Sequence, residues 1–144
     1  MELEILSVLQ FHVTAPSAYR FLQRFAKLSQ ATASDDQVFY YAQYIQEIAL
    51  LDASLLKYRP SEIAASSFIL AMKQLKKKNS DAAPTSPWTK ELEQATGMYD
   101  SDLQAIVEDV RGFVVEVNPK FLTTLKYKFS KTDYCEVATL PFKF

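Results

Sequence analysis

Apolar residues recur at helical spacing through most of this 144-residue chain. In Met1–Leu9, Leu3, Leu6 and Leu9 lie roughly on one side of a first helical stretch. No capping residue precedes that stretch, which therefore reads as the end of an earlier element. Thr14-Ala15-Pro16 combines a capping hydroxyl with an early proline and predicts a helix start. Ala18, Phe21, Leu22, Phe25 and Leu28 then form an apolar stripe. Arg20, Gln23, Arg24 and Lys27 occupy the other side, and the helix is expected to end near Ser29. Ala31–Ser34 is a polar loop, and Ser34 or Asp35 should cap the next helix. Val38, Tyr41, Ala42, Ile45, Ile48 and Ala49 make its inner stripe. Gln37, Gln43, Gln46 and Glu47 are placed toward solvent, and Leu55, Leu56 and Tyr58 lead onward.

The next element is apolar almost all round. Ile63 through Met72 carry no charge. Pro60 suits a first helical turn, where its missing N–H loses no bond. Glu62 complements the positive end of the helix dipole, and Lys73 and Lys76–Lys78 the negative end. Such a helix belongs inside a bundle. It falls short of the roughly 20 apolar residues that span a bilayer. Ala64, Ala65, Ser66, Ser67 and Ala71 are small enough to let neighbouring helices approach closely. Pro60–Leu75 is thus the expected hub.

Asn79–Pro87 is a loop by composition. Ser86-Pro87 is expected to open another helix, with Trp88, Leu92 and Ala95 inward and Gly97 at its end. Asp100 or Ser101 should cap the one after, and Ser101 with Gln104 matches a capping box. Leu103, Ile106, Val107, Val110, Val114 and Val117 form the cleanest stripe in the chain, which Asn118-Pro119 stops. Phe121, Leu122, Leu125 and Phe129 suggest one more short helix, with Lys120, Lys126, Lys128 and Lys131 outside. Pro141 argues against a regular element in the tail. The prediction is an all-α fold: five principal helices around Pro60–Leu75, with partial helices at both ends.

Composition narrows the chemistry. Two glycines in the whole chain argue against both turn-rich β architectures and glycine-rich phosphate loops. The net charge of -1 gives no basic face for nucleic acid, and Lys76–Lys78 reads as a solvated helix end. The single cysteine, Cys135, excludes an internal disulfide and fits a reducing compartment. No signal peptide or membrane span is read, so a nuclear or cytoplasmic location is expected. His12 and Cys135 are far apart in sequence, and no cluster has metal-ligand spacing. Neighbouring carboxylates such as Asp35-Asp36 and Glu108-Asp109 diverge on a helix and do not form an acid–base couple. Ser86-Pro87 has the minimal form of a proline-directed phosphorylation site, but capping explains it equally well. By subtraction the expected work is binding, with no enzyme activity, cofactor or metal.

The order of segments resembles the cyclin family, specifically the second, C-terminal box of A- and B-type mitotic cyclins. The stretch from Met1 to Val13 is similar to the last helix and exit of the first box. Thr14–Phe25 is similar to the opening helix of the second. The most specific likeness is Glu47–Asp52 followed by Tyr58-Arg59-Pro60-Ser61-Glu62-Ile63-Ala64-Ala65-Ser66. Pro87–Leu92 with Thr96-Gly97, and Leu125–Ser130 with Val137-Ala138, continue it. The resemblance implies residues 1–13 as the end of one box, 14–130 as the C-terminal box and 131–144 as an irregular tail. It implies a five-helix box in a regulatory subunit of a cyclin-dependent kinase. It also implies that Glu2 pairs with the kinase near its C-helix and that Leu6 and Val13 supply apolar contact.

The rest of the first box, with the family's substrate-docking patch and main kinase-binding helix, is not in this sequence. These residues alone are therefore not expected to activate a kinase, and a bared face could favour self-association. The alternatives are a non-catalytic helical scaffold and a nucleic-acid-binding repeat like that of TFIIB-type transcription factors. The slightly acidic charge balance speaks against the latter.

Overall fold

The computed structural model describes residues 1–29, 35–76, 87–117 and 119–142. Its described residues form seven α-helices: α1 (Glu2–Val8), α2 (Ala18–Leu28), α3 (Asp35–Ala49), α4 (Pro60–Lys76), α5 (Lys90–Thr96), α6 (Asp100–Glu116) and α7 (Thr123–Phe129). Single turns of 3-10 helix lie at Ala53–Lys57, Pro119–Leu122, Thr132–Tyr134 and Val137–Thr139.

The expected hub is α4. Every residue from Ala64 to Met72 is buried, and α2, α3 and α6 all pack against this helix. Its small side chains explain why three neighbours fit around one axis. Each neighbour turns its predicted stripe inward, save Leu28 at the end of α2, which is exposed. Leu22 and Phe25 come from α2, the full Val38-to-Ala49 set from α3, and Leu103, Ile106, Val107, Val110 and Val114 from α6. Aromatic residues close the remaining gaps: Phe25 meets Trp88 edge-on at 5.4 Å, and Tyr44 packs on Phe129 at 5.1 Å.

Helix α4 begins at Pro60 as expected, but at the starts of α2, α5 and α6 sequence and structure part. The predicted start at Thr14 is about one turn too early, because α2 begins at Ala18 behind an extended Ser17. Pro16 biases the residue before it to extended backbone, and Gln46 Nε2 fixes the entry by donating to the Ala18 carbonyl at 3.4 Å. Gln46 is consequently buried, not solvent-facing as its polarity suggested.

Similarly, α5 does not open at Pro87. Thr89 caps it, its hydroxyl accepting from Leu92 N at 3.4 Å. Trp88 stays outside the helix, where its indole Nε1 donates to the Met98 carbonyl at 2.8 Å. The later start turns Ala95 outward. Gly97 ends α5 in the left-handed conformation (φ 68°), as expected of a terminal glycine.

The Ser101–Gln104 capping box does not form. Tyr99 is the N-cap, and Glu93 of α5 accepts from Asp100 N at 3.1 Å. Gln104 instead donates to Asp100 Oδ1 at 3.0 Å. The predicted loops at 31–34 and 79–86, the Ser34 cap, the Lys77–Lys78 part of the basic run, Ser86 and Asn118 lie outside the described residues.

Residues 132–142 lie against α3 and α7, with Val137 fully buried. Phe142 stacks on Tyr44 at 5.8 Å, Tyr134 meets Tyr40 at 5.4 Å, and Gln74 Nε2 donates to the Pro141 carbonyl at 2.6 Å.

Candidate partner-binding surface

No residue of α1 is buried. Glu2 and Leu6 stand four positions apart and so share one face of the helix. Beyond it the chain folds back: Phe11 N donates to the Leu6 carbonyl at 2.9 Å, and Val13 N to the Phe11 carbonyl at 3.0 Å. Gln10 and Phe11 sit at φ 49° and 57°, left-handed positions uncommon for residues with side chains. This turn links Leu6 and Val13 through Phe11. Leu6 is half-buried, Glu2 is exposed, and Val13 is 61% exposed. Glu2 has no hydrogen-bond or ion-pair partner among the described residues. Ile5, Val8, Leu9 and Phe11 are exposed apolar residues of the same segment.

The other chemistry named in the sequence is dispersed. His12 is exposed beside this turn, whereas Cys135 is half-buried in the tail. No group of His, Cys, Asp and Glu able to hold a metal occurs among the described residues. Glu108 and Asp109 indeed diverge. Glu108 pairs with Arg111 at 2.6 Å. Asp109 accepts from Tyr58 OH at 2.6 Å and from Lys57 Nζ at 2.9 Å. Those two hydrogen bonds, the tyrosine's first, hold the Asp109 carboxyl below the usual aspartate value, and the bond to Asp109 holds Lys57 above the usual lysine value. The triad ties the turn before α4 to the middle of α6.

Sequence reading missed a second surface, an apolar groove of about 770 Å³ beside the C-terminal half of α3. The available signal was Leu50, Leu51 and Leu56, leucines that fall between two helical stripes and belong to neither.

An all-α bundle wrapped around a buried central helix, with exposed apolar groups gathered on separate faces, is the class of domain that this geometry defines. No helix among the described residues is long and apolar enough to cross a membrane. The family model "Cyclin, C-terminal domain" matches residues 16–143, and the chain belongs to that family. It is 31% identical to Cyclin-A3-4 of Arabidopsis thaliana over 98% of this chain and 37% of the relative. It is 29% identical to G2/mitotic-specific cyclin-B1 of Xenopus laevis, over 98% of this chain and 33% of that protein. For Cyclin-A1-1 of Oryza sativa subsp. japonica the figures are 33% identity, 98% and 27%. The chain thus spans about a third of the length of these relatives. These matches favour the cyclin reading over the scaffold and TFIIB-type alternatives.

Proposed function

We propose that this chain is the C-terminal box of a cell-cycle cyclin of the A/B type and serves, without catalysis of its own, in a regulatory subunit that binds and activates a cyclin-dependent protein kinase. The observation that carries this is the family match over residues 16–143, joined to A- and B-type relatives that align along 98% of the chain. Activation of this kind is a population shift: the subunit binds the active kinase arrangement better than the inactive one.

In this reading residues 1–13 are the end of a first box, and 14–130 form the second. Glu2 pairs with the kinase near its C-helix, and Leu6 and Val13 supply apolar contact. Their support is placement: one face of α1 and the turn after it, without a buried residue to compete for them. The nucleus and cytoplasm are the proposed compartments.

The test is binding to a cyclin-dependent kinase, using this chain and the same chain fused to the first box of a relative. The fusion should bind and stimulate phosphorylation, and the chain alone should not stimulate. Glu2→Lys with Val13→Asp should weaken the fusion's binding about tenfold or more, the scale of a charge reversal plus a lost apolar contact. The melting temperature should stay unchanged. A fusion that neither binds nor stimulates would sink the kinase reading, and an unaffected double variant would remove these residues from the interface.

A further inference from the structure

The groove beside α3 reaches beyond the kinase reading and does not depend on it. Its floor includes Ala18, Ala49, Leu55 and Ile63, from the starts of α2 and α4, the end of α3 and the Ala53–Lys57 turn. Around it stand Leu50, Leu51, Leu56 and Phe121, which are 77%, 51%, 77% and 72% exposed. A small molecule filling the hollow would leave these side chains bare. Apolar residues bordering an apolar floor instead suit an occupant long enough to cover both. From Gln43 to Leu50 the α3 wall runs for about 10 Å at the usual helical rise, nearly two turns of a partner helix.

Charge then narrows the occupant. Glu47, on the α3 wall, is already answered by Lys128 Nζ at 2.6 Å. Asp52 is different. It accepts from Ser54 N at 2.9 Å and from the Ser54 hydroxyl, and these bonds hold its carboxyl below the usual range. Nearby Lys57 donates to Asp109 and acts on Asp52 only through its field, behind the two Ser54 bonds. Asp52 therefore keeps its negative charge without an ion-pair partner among the described residues, just past the C-terminal, negative end of α3. An apolar groove with a fixed anion beside it complements an apolar stripe with a cation beside it.

We infer that this groove docks an amphipathic segment of another protein, one that carries aliphatic or aromatic side chains at helical spacing and a Lys or Arg set against Asp52. Phage-displayed random peptides of about four helical turns, selected on the full 144-residue chain, test it. Enriched peptides should carry an apolar stripe and a basic residue. Leu56→Glu and Phe121→Glu should each weaken them more than about tenfold, the scale of one lost buried side chain. Asp52→Asn keeps a competent cap and should erase only the preference for the basic residue. All three variants should melt with the wild type, since these side chains are not in the core.

Peptides indifferent to Leu56→Glu and Phe121→Glu, an acidic consensus, or no enrichment at all would overturn the inference. So would dimerisation abolished by Leu56→Glu, which would give the groove to a second copy. Loss of the peptides on fusion to a relative's first box would overturn it too, because the groove would then be filled within the cyclin. Failure of kinase binding changes none of these readouts.

Discussion

Ala65 and Ala71 are fully buried in α4, against which α2, α3 and α6 all pack. Ala65→Asp or Ala71→Asp would place a charge there without a counterion, at a cost of several kcal/mol. Neither variant should give a cooperative thermal transition near that of the parent, and a soluble, normally melting product would show that α4 is not the core. At the surface, Asp109 offers a measurement with a definite sign. Its carboxyl is held below the ordinary 3.8, so the stability that it contributes is fully present above that value and lost as pH falls through the depressed one. Lys57 is held above 10.5, so its share survives until the pH exceeds that value. Unfolding curves of wild type and Asp109→Asn should therefore differ at neutral pH and converge only below 3.8. Single-residue roles were legible where apolar spacing decides them, as for Val110 or Ile45. Gln46 was not, because a glutamine's burial depends on finding a carbonyl 28 positions away in sequence.

Helices were readable as elements because each keeps one stripe in register over several turns. The beginnings of α2, α5 and α6 were not, because competing hydroxyls and prolines near each start look alike until a tertiary contact chooses among them. The start of α6 is the clearest case. Ser101 and Gln104 have the spacing of a local cap, but Glu93 from the preceding helix takes the Asp100 N–H. A cap supplied by another helix also couples the two. Glu93→Ala should cost about 1 kcal/mol, the usual scale of a lost cap. Amide exchange should speed up in the first turn of α6 while its buried middle keeps its protection. Equal acceleration along all of α6 would mean that the contact holds the helix in place and does not merely finish its end. For the candidate surface, Glu2, Leu6 and Val13 came from resemblance; the helical period adds that Glu2 and Leu6 share a face, and only the structure shows the turn that links Val13 to them.

At the scale of the whole molecule, the all-α class and the central helix followed from pattern, and the family from the order of motifs. The groove did not, since its walls come from α2, α3, the turn before α4 and α7, and no window of sequence contains them together. The same is true of the tail. Pro141 argued against a regular element, and the described residues of the tail form two single turns of 3-10 helix; nothing local announced that Val137 would be fully buried or that Phe142 would stack on Tyr44. Burial there pushes the Tyr44 phenol up to about 12. On a ribosome, this arrangement sets an order of events. The helices emerge first and can assemble around α4. The aromatic side of α3, which Phe129 covers only in part, stays open until Val137 and Phe142 have left the exit tunnel. For that interval the nascent chain presents a sticky surface that the finished protein hides, so its exposure to chaperones ends only when residues near position 142 arrive.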